Sequence, residues 1–176
     1  GNPESSNKLD AMLKNAFSIN APFTAFKYLA INPSIKLNSD FVNRYRVAEY
    51  DQTDSVSFRY EDDIKNRTTS SLGLSLSTKV YGILPIKLNK IKSIRHVMTP
   101  SIRFNFSPDY LSNDSYFQSF NDEYYDYFNS SIIGSTPTTS TKKLSLSLGN
   151  VFQAKIKDGD KEKKINILSW GISSGY

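Results

Sequence analysis

The sequence contains no cysteine, which removes a disulfide framework, a thiolate metal site and a cysteine nucleophile together. It has one histidine, His96, so histidine-based catalysis would rest on a single imidazole and no multi-histidine metal site can be built. No run of about 18 apolar residues occurs, and no transmembrane helix is encoded. Alanine and glutamate are scarce, which leaves few helix formers. A glycine-rich phosphate loop and a serine-centred elbow are both missing. So are RNA-recognition, zinc-finger and helix-turn-helix patterns, despite a net charge of +5, so nucleic acid is not an expected partner. No catalytic group, cofactor or metal site is expected. Gly1 stands where an initiator Met would, and no signal-peptide pattern follows. We expect a processed or excised segment.

What the chain has is rings and small polar residues. Eleven Tyr and eleven Phe lie among many Ser, Asn and Thr in 176 residues. Aromatic and β-branched residues favour strands and argue against disorder. Strict alternation then marks strands with two unlike faces. Leu72, Leu74 and Leu76 share one parity, continued by Val80 and Leu84, with Gly73, Ser75 and Ser77 between them. Ile102, Phe104 and Phe106 alternate with Arg103, Asn105 and Ser107. Leu144, Leu146, Leu148, Phe152, Ala154 and Ile156 form a third row, and Leu168, Trp170, Ile172 and Tyr176 a fourth. Two earlier stretches are less regular: Phe17 and Ile19, then Ile35, Leu37, Phe41, Tyr45 and Val47.

About six strands result, several of them longer than the roughly 5–6 residues usual in soluble sheets. A strand crossing a bilayer at a steep tilt needs about 9–11. Long strands carrying apolar rows opposite Ser, Asn, Lys and Arg fit a transmembrane barrel, with one face on lipid and the other on a wet lumen. A soluble β-sandwich also alternates, and stays open as an alternative. The connections run short (Pro22 to Lys27), long (Ala48 to Arg67), short (Pro85 to Ser93), long (Pro108 to Thr141) and short, the last through Asp158-Gly159. Outer-membrane barrels alternate short periplasmic turns with long outer loops in this way. Strands one, three and five then run inward, and two, four and six outward. Six strands cannot close such a barrel, since about eight are the fewest known. The expected fold is therefore all-β: an antiparallel, meandering transmembrane β-barrel segment of about six long strands. Residues 1–13 form a poorly structured lead-in and 14–176 an arc, with long loops at about 48–67 and 108–141. The expected lipid-facing residues are Leu72, Leu74, Leu76, Ile102, Phe104, Phe106, Leu144, Leu146, Leu148 and Trp170. The expected lumen-facing ones are Lys36, Asn38, Arg103 and Asn105.

Around the fourth strand the sequence reads Ile94-Arg95-His96-Val97-Met98-Thr99-Pro100-Ser101-Ile102 and runs to Phe106-Ser107-Pro108-Asp109. This tract resembles the barrel of the LptD (OstA) family of lipopolysaccharide-assembly outer-membrane proteins. The family motif is carried by Arg95, His96, Thr99, Pro100, Ser101, Pro108 and Asp109. Lys79-Val80-Tyr81-Gly82 and the closing hairpin from Leu144 to Ser169 extend the likeness, which spans roughly Phe17 to Tyr176. It implies a translocon in the bacterial outer membrane, not an enzyme. The implied partners are lipopolysaccharide, a plugging lipoprotein of the LptE type and periplasmic bridge proteins. The family's β-jellyroll domain and the seam between first and last strands cannot be identified here, and the inter-domain disulfides of some members have no cysteines to form them. Other readings are a porin or plug-gated receptor, and a secreted glycan-binding β-sandwich.

Within the motif, Pro100 lacks a ladder donor and should sit at a strand start or an irregularity. Arg95 and His96, near the expected inner rim, either anchor the strand or meet periplasmic parts or a lipid phosphate. The stretch from Asp109 to Phe128 holds eight aromatic residues with Asp114, Asp122, Glu123 and Asp126 and no Lys or Arg. So many rings would be costly in water, so the loop should pack over the mouth or on its neighbours. Contact with sugar rings, or with cations bridging lipid phosphates, is the functional alternative.

Overall fold

The computed structural model describes residues 10–50, 55–86, 91–129, 131–158 and 161–176. The strands are β1 Met12–Asn20, β2 Phe23–Ala25, β3 Leu29–Val42, β4 Tyr45–Tyr50, β5 Val56–Glu61, β6 Lys65–Ser77, β7 Val80–Leu84, β8 Ile91–Ser107, β9 Phe117–Phe120, β10 Glu123–Asp126, β11 Thr141–Asp158 and β12 Lys161–Gly175. No helix occurs among the described residues. The main sheet runs β1-β3-β6-β8-β11-β12, with β2 on β3 and β7 on β8, while β4-β5 and β9-β10 form separate small sheets. Each long strand therefore neighbours the next in the chain, as a meander requires. The fold is all-β and antiparallel.

Pairing follows the alternation. Leu72 lies opposite Phe106, Leu74 opposite Phe104 and Leu76 opposite Ile102, while Gly73, Ser75 and Ser77 face Asn105, Arg103 and Ser101. Because side chains repeat every two residues, this register keeps apolar and polar rows on separate faces.

Pro100 sits inside β8 and breaks its neighbour. Thr78 N–H donates to the Pro100 carbonyl at 3.2 Å, but Pro100 has no N–H to return to the Thr78 carbonyl. β6 stops at Ser77, and β7 resumes with Val80 opposite Met98. The positions sum to the same value on both sides, so β6 and β7 are one strand with a proline-induced gap. The basic link is shorter than the spacing suggested, since β8 begins at Ile91; residues 87–90 lie outside the described ones. In the last hairpin, Asp158 pairs with Lys161, and the register shifts after Phe152–Leu168 so that Gln153 meets Asn166. Ile167 is thus the extra residue of a β-bulge. Gly159 of the expected turn lies outside the described residues, as do positions 1–9 of the lead-in.

Two stretches expected as loops contain hairpins. Tyr45 and Val47, whose parity extends the row of Ile35, Leu37 and Phe41, belong to β4 in a different sheet. The chain leaves β3 after Val42, where Asn43 N–H donates to the Ala11 carbonyl at 3.3 Å. In the second stretch, Asn121 and Asp122 adopt positive φ of 47° and 63° between β9 and β10. Both residue types tolerate this conformation, and it is the tight hairpin turn of paired left-handed residues.

The chain divides into two compact units. The first comprises Gly1–Ile19, Ile35–Ser71 and Ser107–Thr141 and contains both long connections. Its core is Val42, Tyr116, Phe117 and Phe128, ringed by Tyr45, Tyr110, Leu111, Tyr127 and Ile133. The second comprises Asn20–Ser34, Leu72–Phe106 and Lys142–Tyr176 and contains the three short connections. Among its described residues, the buried ones are Ala154 and Asn150. It is a sheet of long strands with almost no core of its own.

Candidate functional site

The second unit presents ordered apolar rows to its surroundings. Exposure runs from 38% at Leu74 to 48% at Leu146, with Leu72, Ile102, Phe104, Leu144 and Trp170 between these values. Leu76, Phe106 and Leu148 are half-buried. Of the residues expected to face a lumen, Arg103 and Asn105 pair with Ser75 and Gly73, on the face opposite the leucines. Both are exposed, as is Lys36, while Asn38 is half-buried. The polar face is tightly laid: a Cβ at Gly73 would meet the Ser34 hydroxyl, which donates to the Gly73 carbonyl at 3.4 Å. Glycine there lets the strands approach.

The motif residues serve separate ends. His96 stacks on Phe152 with ring centroids 4.2 Å apart and planes 3° from parallel, and its Nε2 lies 2.9 Å from Asn150 Oδ1. Counting in twos along the unbroken β6–β8 register, His96 shares the face of Ile102 and Phe104, and Arg95 the opposite one. The Arg95 guanidinium lies 4.6 Å from the Tyr81 ring centre. The two residues therefore do not converge; each ties β8 to a neighbour. Thr99 borders Gly149, and Ser101 and Ser147 share a 2.6 Å hydroxyl hydrogen bond. Pro108 and Asp109 end β8 and lead into Tyr110, whose N–H donates to the Pro137 carbonyl at 3.0 Å.

The aromatic loop completes a sheet edge. β6 extends upstream of Leu72, where its pairing with β8 ends, and two tyrosine hydroxyls take over. Thr68 N–H donates to Tyr116 Oη at 2.8 Å, and Tyr116 Oη–H donates back to the Thr68 carbonyl at 2.9 Å. Ser70 N–H donates to Tyr110 Oη at 2.5 Å. Likewise the Gln118 amide accepts from Ala48 N–H at 2.9 Å and donates to its carbonyl at 3.0 Å, as a neighbouring strand would. Satisfying half-buried backbone groups in this way avoids part of the cost of leaving them unpaired.

Beneath lies a charged pin. Arg67, 5% exposed, donates to Asp40 at 3.2 Å, to the Ile133 and Gly134 carbonyls at 3.3 and 2.7 Å, and to Thr136 Oγ1 at 3.3 Å. Asp126 in turn accepts from Thr136 N–H at 2.6 Å, from its hydroxyl at 2.9 Å and from Phe128 N–H at 2.9 Å. Neighbouring phenols are held above their ordinary range. Burial does this at Tyr45 and Tyr127, and a hydrogen bond to Glu123 does it at Tyr125. Asp126 and Glu123 are both engaged in these contacts, and no group of three or more metal-ligating side chains occurs among the described residues.

Of this network the sequence pointed to Asp126 alone, as one of the loop carboxylates; Arg67, Asp40 and Thr136 were not singled out. Parity hinted at two of these three: Asp40 continues the polar row of Lys36 and Asn38, and Arg67 that of Gly73 and Ser75.

The geometry defines an all-β protein whose long antiparallel strands carry an exposed apolar face and whose long connections fold into a packed subdomain. No curated protein and no solved structure matches the chain significantly. Residues 2–176, however, match the family model described as LptD protein. The chain belongs to that family, which ties it to lipopolysaccharide transport and the bacterial envelope.

Proposed function

We propose that the chain forms part of the wall of an outer-membrane β-barrel translocon that inserts lipopolysaccharide into the outer leaflet. Its strands cross the membrane and its long connections lie outside the cell. The observation that carries this reading is the coreless second unit. A sheet whose Leu72, Leu74, Phe104, Leu144 and Leu146 stay 38–48% exposed has lost roughly 25 cal/mol for every Å² of apolar surface left in water. Hydrocarbon against that face removes the cost. β8 and β11, at 17 and 18 residues, exceed the roughly 9–11 needed to span a bilayer. The polar face of Ser75, Arg103 and Asn105 suits a hydrated passage for a sugar-bearing lipid. The work is conduction, not bond chemistry, and the partners are a plugging lipoprotein of the LptE type and periplasmic bridge proteins.

The test substitutes arginine on each face in the full-length protein. Leu74→Arg or Phe104→Arg should impair assembly, because charge near the midplane on the lipid side costs about 2–4 kcal/mol. Ser75→Arg and Asn105→Arg should be tolerated. Assembly is read from heat-modifiable migration in outer-membrane fractions, and function from surface lipopolysaccharide. Equal tolerance at both parities, or recovery of the protein without detergent, would refute the reading.

A further inference from the structure

The second unit carries an amphipathic groove of about 340 Å³ between the strands that flank the short connections, lined by Tyr81, Ile83, Arg95, Lys155 and Lys164 among others. Its chemistry is uneven. Lys155 lies directly opposite Lys164 on the adjoining strand, and like charges facing one another across a ladder are destabilising. Glu162 offsets one of them: it pairs with Lys155 and, at 2.8 Å, with Lys92. Among the described residues, Lys164 and Arg95 have no carboxylate within ion-pair distance. The Arg95 guanidinium carbon lies 4.6 Å from the Tyr81 ring centre. Ile83, opposite Arg95 and 70% exposed, supplies an apolar wall beside the cations.

We propose that this groove binds the phosphate of a phosphorylated amphiphile, with Arg95 and Lys164 on the anion and Tyr81 and Ile83 against the adjoining apolar or sugar portion. An anion between Arg95 and Lys164 relieves the lysine repulsion, and a guanidinium suits phosphate through its paired donors. The occupant's identity as lipopolysaccharide rests on the translocon reading above; the site itself rests on the groove. It is a subsite at which a phosphate-bearing headgroup pauses.

The experiment places a photo-crosslinking residue at Ile83, and separately at Ser75, in the full-length protein, and offers purified lipopolysaccharide or the same material enzymatically dephosphorylated. Crosslinking at Ile83 should fall at least about tenfold on dephosphorylation, and likewise with Arg95→Gln or Lys164→Gln, since each removes a charge-assisted contact. Lys164→Arg should keep it. Equal crosslinking with the dephosphorylated lipid overturns phosphate recognition, and abolition by excess inorganic phosphate overturns the amphiphile. Crosslinking at Ser75 but not at Ile83 removes the groove and leaves the translocon intact. Crosslinking at neither, with normal surface lipopolysaccharide after depletion of the protein, brings down the translocon itself.

Discussion

Replacing Arg67 with Met keeps much of the side-chain volume and removes the guanidinium that donates to Asp40, Thr136 and the carbonyls of Ile133 and Gly134. Asp40 is itself 8% exposed, so its carboxylate is left buried without a partner. Breaking a buried pair from one side costs about 3–5 kcal/mol. At about 1.4 kcal/mol per factor of ten, the segment Arg67 holds should open roughly a hundred- to several-thousand-fold more often. The second substitution separates charge from packing. Arg67→Met with Asp40→Leu removes the orphaned carboxylate but leaves the two carbonyls short of donors, each at about 1–3 kcal/mol, so it should recover part of the loss and not all. Limited proteolysis of the full-length protein in outer-membrane vesicles, followed at the 129–137 stretch, reads the opening directly. Heat-modifiable migration should stay unchanged, since the paired strands of the second unit do not involve Arg67. A single variant cleaved at the wild-type rate, or a double variant cleaved faster than the single, would refute the assignment of Arg67 as the pin.

Other outcomes follow from the same contacts. Tyr116→Phe leaves Thr68 N–H and carbonyl without their hydroxyl partner and should lower stability in urea by about 1–3 kcal/mol; no change would mean water replaces the phenol without cost. Tyr45, Tyr125 and Tyr127 hold their protons above the ordinary value of 10.0. The stability they contribute is therefore complete below about pH 10 and lost as pH rises through the folded values. Alkaline titration by phenolate absorbance should show late-titrating tyrosines whose ionisation coincides with loss of protease resistance in the first unit; uniform titration at the ordinary value would contradict it. Pro100→Ala restores an N–H to face the Thr78 carbonyl. The hydrogen bond gained, about 0.5–1.5 kcal/mol, is set against about 0.4–1 kcal/mol of added unfolded-state freedom. The unfolding midpoint should hardly move while the new amide at position 100 exchanges slowly with solvent. Fast exchange there would mean the gap between β6 and β7 has another cause.

Alternation by itself marked the long strands of the main sheet and which of their residues share a face, while β2 fell in the stretch expected as the link Pro22 to Lys27. Leu72, Leu74 and Leu76 met Phe106, Phe104 and Ile102 as their spacing required, because a period of two is a local property of extended backbone. The effect of Pro100 was equally local: a missing N–H must leave a gap in whichever strand lies beside it. Parity, however, runs unbroken through a turn, and so it carried Tyr45 and Val47 into a strand they do not join. The tertiary structure decided the rest. Tyr110 and Tyr116 finish the edge of β6, and Arg67 finds Asp40 at 27 residues' separation and Thr136 at 69. Side-chain reach and the demand that buried polar groups be paired select such partners, and neither leaves a periodic trace in the chain. His96 and Arg95, adjacent in sequence, went to opposite faces for the same geometric reason that kept the leucines together.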